Sequence, residues 1–450
     1  MTFCLSTARR LALAFAALVA ISIPALAADT FNVETFSLDN GLEVVVIPNH
    51  RAPVVHHSVW YRIGAADEPE GESGVAHFLE HLMFKGTPSV PAGQFSRIVK
   101  RHGGNDNAFT TQDYTGYYQT ISRDNLELVM KMEADRMHNL LIEPDQVASE
   151  RDVVLEERRM RTDNQPRAKL SEVMDAVQYL AHPYRLPVIG WAHEIEQLDR
   201  EKALDFYKRF YAPNNAILVV AGDITAAELK PLAEKYYGPL PKGEVNRRDR
   251  VQEPPQYAAR RVELADPQVA DPQWTRSYLA PSYRTADAGE AEALSVLAQI
   301  LGGGTTSRLY QALVVDQKLA TYAGSWYSPV SYDPTEFSVF VAMQPDTEPG
   351  AIDTAVDAEI QRIADQGVTE EELARAKRLM RADTVYAQDS LSELARIFGS
   401  ALSVGATVED VQTWPDRVEA VTADQVSAAA AKVLDMNHSV TGVLLPKPAV

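Results

Sequence analysis

Two stretches of the sequence read as one unit used twice, and a duplicated unit constrains the fold more than any composition does. In the first, a helical apolar run His77-Phe-Leu-Glu-His-Leu-Met-Phe84 ends at Gly86-Thr87. In the second, Ala293-Leu-Ser-Val-Leu-Ala-Gln-Ile-Leu301 ends at Gly302-Gly-Gly-Thr305. Each unit closes on an Asn-led β run, at 214–222 and 437–445, and a Pro-rich, charged stretch over 238–255 separates them. Strand signals at 42–47, 54–61, 114–121 and 337–343 mix with helical periodicity at 126–141, 145–161, 225–236, 350–366 and 370–386. The mixing lacks strict alternation, which favours α+β halves, each a mostly antiparallel sheet with helices packed on it. The expected division is a first half over 28–240, a linker over 241–257 and a second half over 258–450.

Residues 1–27 do not belong to that fold. Arg9 and Arg10 precede an apolar run over 11–23 that ends in Ala25-Leu26-Ala27, the pattern of a cleaved secretory signal peptide, so the mature chain is expected in the periplasm. The single cysteine, Cys4, falls in that leader, leaving a mature chain without disulfides, stabilised by packing alone. The formal charge of −19 becomes more negative without the leader, which carries two arginines and no acid. Such a surface argues against nucleic acid or an anionic membrane as partner.

On a helix, residues three and four apart share a face, so His77, Glu80 and His81 project together. Two imidazoles one turn apart can reach one Zn²⁺, with the carboxylate beside them left free to act on water. The order is H-x-x-E-H, the inverted form of the zincin motif. Two histidines on a merely structural helix could share this spelling. A catalytic zinc takes a third protein ligand, and the helical segment around 145–161 offers Glu150 and Glu157, two turns apart on one face. Glu156 points about 100° away and reads as a solvated charge.

Ser73-Gly-Val-Ala-His-Phe-Leu-Glu-His-Leu-Met-Phe-Lys-Gly-Thr87, with Glu157 in Glu150-Arg-Asp-Val-Val-Leu-Glu-Glu-Arg158, closely resembles the processing-peptidase branch of the pitrilysin family. The likeness extends to His182-Pro-Tyr184, Gly190, Asn107-Ala108 and Thr115. It implies two homologous halves that close like a clamshell on dimerisation, and a zinc endopeptidase carrying one Zn²⁺ per chain. It makes Glu157 the third ligand, beside His77 and His81, and Glu150 an acid supporting the site. Glu80 becomes the general base. The stretch 103–110 becomes an edge strand on which Asn107, Ala108 and Phe109 bind substrate backbone by strand addition.

The sequence departs from the family in its second half. Self-sufficient relatives carry an Arg and a Tyr seven residues apart that stabilise the oxyanion, and the matching positions here are Val314 and Thr321. Ser295, Ala298 and Gln299 stand where the metal helix would repeat, so the second half cannot bind zinc in that way. The resemblance therefore implies a homologous partner subunit that supplies the Arg/Tyr pair, with peptides or unfolded segments as substrate. A non-catalytic structural or chaperone-like subunit is the alternative, but such members usually lose a ligand or the base.

Overall fold

The computed structural model describes residues 31–245 and 248–447, and the expected leader at 1–27 lies outside them. The first half runs β1 (Glu34–Ser37), β2 (Glu43–Pro48), β3 (Val54–Tyr61), α1 (Val75–Leu82), α2 (Gln94–Arg101), β4 (Asn105–Thr110), β5 (Thr115–Ser122), α3 (Leu126–His138), α4 (Pro144–Arg158), α5 (Pro166–Gln178), α6 (Ala192–Ile195), α7 (Arg200–Phe210), β6 (Ala216–Gly222) and α8 (Ala226–Tyr236). The second runs β7 (Arg260–Asp266), β8 (Gln273–Ala280), α9 (Glu290–Gly302), β9 (Ala320–Tyr327), β10 (Thr335–Met343), α10 (Pro349–Gln366), α11 (Glu370–Ala387), α12 (Leu391–Ser403), α13 (Val408–Gln412), α14 (Trp414–Ala420), α15 (Ala423–Val433) and β11 (Ser439–Pro446).

The strand orders are β1-β2-β6-β3-β5-β4 and β7-β11-β8-β10-β9. Matching β2, β6, β3, β5 and β4 to β7, β11, β8, β10 and β9 gives one topology, with β1 an addition to the first sheet. In each sheet one pair, β2 with β6 or β7 with β11, is parallel, and the remaining neighbours are antiparallel. The fold is therefore α+β, built from two homologous halves, as the duplicated sequence pattern predicts.

Alternation along the central strands sends side chains into two different cores. Leu218 and Val220 of β6, Val44 and Val46 of β2, and Val55 and Val59 of β3 join the main core of the first half. Their neighbours Ile217, Val219, Val45, Ile47 and Trp60 face the other way, onto Leu394, Phe398 and Leu402 of α12. The covering helix thus comes from the second half of the chain. The reverse also holds: Leu170 and Met174 of α5 pack on Val440 and Leu444 of β11. Each half lends a helix to the other's sheet. Glycines make both contacts close: a Cβ on Gly399 of α12 would lie 2.1 Å from the Trp60 indole, and one on Gly442 of β11 would lie 2.1 Å from Met174 Sδ.

The connecting segment contributes a clasp. The Arg250 side chain, 4% exposed, bonds Asp67 Oδ2 at 2.8 Å and Asp113 Oδ1 at 2.6 Å in the first half, and Asp333 Oδ2 at 3.1 Å in the second. His182 Nε2 approaches Asp333 Oδ2 at 3.1 Å. Tyr184 donates its hydroxyl to Asp113 Oδ2 at 2.6 Å. Burial pushes the Asp333 carboxyl up, but the His182 hydrogen bond and the Arg250 charge outweigh it and hold the group at about 2.

Candidate metal centre

Helix α1 starts where Gly74, at φ 89°, turns the chain, and a Cβ there would meet Ile189 O at 2.6 Å. The Glu68 carboxylate accepts hydrogen bonds from Gly74 N at 2.9 Å and Ala76 N at 2.8 Å, closing two of the open amides at the helix start. The apolar positions Val75, Phe78, Leu79 and Leu82 are buried in the main core. That anchoring leaves His77, Glu80 and His81 on the remaining face, the two imidazole centroids 4.8 Å apart.

Helix α4 packs against α1 and brings Glu157 to both histidines. Glu157 Oε2 lies 3.2 Å from His81 Nε2 and 3.7 Å from His77 Nε2. Donor atoms held tetrahedrally about 2.0–2.2 Å from a zinc lie roughly 3.3–3.6 Å from one another. The two Glu157 separations are near that spacing, and two imidazoles with one carboxylate are the donor set of a zinc site whose fourth position is open. Among the described residues they form the one such group, with donor atoms all within 4.8 Å.

The surroundings prepare these donors. His81 Nδ1 lies 2.9 Å from Glu150 Oε1, a carboxylate that can only accept, so in the neutral ring Nε2 carries the lone pair and faces Glu157. Lys85 completes the group by pairing with the other oxygen of Glu150. Burial and then the His81 charge pull the His77 imidazole down to about 3, so it stays neutral, as a ligand must. At His81 burial also pulls down, but the Glu150 hydrogen bond and the charges of Glu150, Glu157 and Glu80 outweigh it and raise the group. Burial acts on the Glu150 carboxyl in the opposite sense, and the bonds from His81 and Lys85 overcome it, lowering the group. At Glu80 burial wins and the carboxyl is raised, although the hydrogen bond from Thr110 opposes it.

Two contacts were not visible in the sequence. The Thr110 hydroxyl, at the end of β4, donates to Glu80 Oε2 at 2.6 Å. Arg161 reaches Glu157 Oε1 at 2.7 Å from a π-helical turn at Arg159–Asp163, where an uninterrupted α-helix was expected. Such turns widen a helix and re-aim its side chains, often at functional sites. Glu156, by contrast, is exposed and pairs with Arg159.

β4 is the terminal strand of its sheet, paired only with β5, and lies beside α1. Asn107 is exposed, its Oδ1 accepting from Ala108 N at 3.0 Å. Ala108 packs on the main core. The Phe109 ring turns to the opposite face, 5.0 Å from Trp60, so towards α1 this residue presents no side chain. In the second half Val314 packs on the core, and Thr321 donates to Ala342 O at 3.3 Å. Arg308 is engaged by Glu372. On α9, Ser295 bonds Ala291 O and Gln299 bonds Gly303 O, so no metal donor set repeats there. A cleft of about 800 Å³ lies over that helix, but it holds no such group.

Two α+β halves of one topology, with an H-x-x-E-H helix in the first alone, define the inverted-zincin class of peptidase-type proteins. Residues 43–190 match the insulinase model of peptidase family M16, and residues 197–380 match the model of the M16 inactive domain. The chain is 32% identical over 372 residues to the zinc protease PqqE of Helicobacter pylori, covering 82% of this chain and 83% of that one. It is 31% identical over 414 residues to an uncharacterized zinc protease of Mycobacterium tuberculosis, covering 89% and 91%. The crystal structure of a protease from Helicobacter pylori superposes with a TM-score of 0.86 at 30% identity, over 92% of this chain and 100% of that one. The periplasmic protease PqqL from Escherichia coli shares the fold with a TM-score of 0.80 at 22% identity, and there the match spans 48% of the PqqL chain. The chain belongs to peptidase family M16, the pitrilysin family. None of its described helices is long and apolar enough to cross a membrane.

Proposed function

We propose that the chain is a zinc endopeptidase of the periplasm, cleaving peptides or unfolded segments, with His77, His81 and Glu157 as ligands and Glu80 as general base. The observation that carries the reading is the convergence of the three donor atoms within 4.8 Å, with a separate, raised carboxyl one turn away. A bound zinc lowers the pKa of water towards about 7 and polarises a carbonyl. In this reading Glu80 would take a proton from the attacking water and deliver it to the leaving amine. Glu150 holds the His81 ring in one tautomer and orientation. Asn107, Ala108 and Phe109 offer the open backbone edge of β4 to an extended peptide.

The Arg/Tyr pair is missing at Val314 and Thr321, so a homologous subunit is proposed to supply it across a closed chamber. That one such unit spans about half of PqqL supports this pairing. We further propose that residues 1–27 are removed on export and that 28–240 and 258–450 are the two domains, joined by 241–257. The second-half match to an inactive domain favours, as a second reading, a chain that assists a peptidase without cleaving. Zinc content and cleavage of a fluorogenic peptide library decide between them. Assayed together with that homologous subunit, the wild type should hold about one zinc and cleave, and Glu80→Gln should hold the zinc and not cleave. A folded wild type without zinc would refute the proposal.

A further inference from the structure

A general base is useful only if its carboxylate stays where the proton will be, and a glutamate has three side-chain torsions to lose. Among the described residues Thr110 is the donor that meets the Glu80 carboxylate, through a 2.6 Å bond to Oε2. The donor is itself rigidly placed. Thr110 pairs with Thr115 in the last rung of the β4–β5 ladder. Immediately beyond it, Thr111 ties the turn by accepting from Asp113 N at 3.2 Å and Tyr114 N at 3.1 Å. Asp113, in that turn, is gripped by Arg250 and Tyr184 of the clasp. The hydroxyl therefore hangs from a strand end fixed on three sides.

We infer that Thr110 is a positioning residue that locks the Glu80 carboxylate to β4, the strand on which the substrate backbone would lie. This rests on the reading of Glu80 as base and β4 as the peptide-binding edge. Its consequence is that base and scissile bond are set by the same strand, so their separation does not depend on how α1 and β4 drift relative to one another. A valine at 110 keeps the shape and the β propensity of threonine but has no donor. The carboxylate is then free to leave its place while the metal donors on α1 and α4 keep theirs.

The test compares Thr110→Val and Thr110→Ser with the wild type, in the zinc-loaded chain assembled with its homologous partner. Thr110→Val should lower kcat about 10- to 100-fold, the range for losing a group that orients a reacting residue, with KM within about twofold. Zinc content and Tm should match the wild type. Thr110→Ser, which keeps the hydroxyl, should restore kcat to within about threefold of the wild type. A crystal structure of Thr110→Val gives a readout independent of turnover, and should show the Glu80 carboxylate displaced. Wild-type kcat in Thr110→Val, equal impairment of both variants, or an unmoved Glu80 would overturn the inference. Undiminished turnover in Glu80→Gln would bring down the assignment of the base instead, and the two failures are read from different variants.

Discussion

Gly399 of α12 sits directly on Trp60 of β3, leaving no room for a methyl group: a Cβ there would be 2.1 Å from the indole. Its counterpart, Gly442 of β11, meets the thioether of Met174 equally closely. The two substitutions should nevertheless differ. The Trp60 ring is buried and rigid, whereas Met174 has three rotatable bonds. Gly399→Ala is expected to cost about 1–3 kcal/mol and Gly442→Ala less than about 1, measured as a shift in urea midpoint. Equal costs would show that the α12 seat can relax as the α5 seat does.

Metal content separates the three glutamates of α4. Glu157→Ala should strip the zinc, and Glu156→Ala, which loses only a surface pair with Arg159, should leave it. Glu150→Ala should weaken zinc affinity about 10- to 100-fold, since His81 then lacks the partner that orients it. Competition with a chromophoric chelator measures all three. Zinc retained by Glu157→Ala and lost from Glu156→Ala would place the third ligand one residue earlier.

The purified chain should be a slow peptidase by itself. Losing one oxyanion donor costs about 10²–10³ in rate, and neither Val314 nor Thr321 donates to the site. Adding a homologous chain that carries Arg and Tyr at these positions should raise cleavage by at least that factor and form a complex of about twice the mass. A chain that is fully active alone, and indifferent to the partner, would contradict this.

The clasp around Arg250 is a buried charge cluster joining both halves. Arg250→Ala takes away the shared cation: Asp67 keeps Arg248, Asp333 keeps Arg284 and His182, and Asp113 loses its only ion pair among the described residues. Removing one member of a buried pair costs about 3–5 kcal/mol, and the loss here should fall at the lower end of that range. A drop of under about 1 kcal/mol in chemical denaturation would mean that Arg248, Arg284 and His182 hold the cluster without Arg250.

Asp333 adds an acid dependence to the same cluster. Its carboxyl is held at about 2, below the ordinary 3.8, so its contribution is complete above pH 4 and is lost as the pH falls towards 2. The amount is on the order of 2 kcal/mol. Between pH 5 and pH 2 the denaturation midpoint of the wild type should fall further than that of Asp333→Asn. Parallel curves would assign the acid sensitivity to other carboxylates.

How much of this the sequence discloses depends on the range of the interaction. His77, Glu80 and His81 are legible because helix spacing alone puts them on one face. Helix geometry narrows the third ligand to Glu150 or Glu157, and the structure turns Glu157 Oε2 to both imidazoles while Glu150 grips the far side of His81. Strands such as 54–61 are legible from their β-branched runs. Arg250 is not, because a buried arginine and a solvated one in a Pro-rich stretch are spelled alike until the three aspartates, up to 183 positions away, are brought in. Nor is Thr110, whose partner is on another element. Arg161 was hidden because its direction depends on a π turn that periodicity does not announce. The roles of α5 and α12 escape for the same reason as Arg250: amphipathic periodicity states that a helix covers something, not which sheet.

The exchange of α5 and α12 also dictates an order of events during synthesis. The sheet of the first half is complete once residue 222 has been made, yet Val45, Ile47, Trp60, Ile217 and Val219 wait for α12, which ends at Ser403. Through about two-fifths of the chain's length, one face of a finished sheet stays bare. An apolar face left open for that long invites capture by chaperones or pairing with another nascent chain. The first half expressed by itself would carry that face permanently, so neither half is a self-sufficient piece, however clearly the sequence repeats.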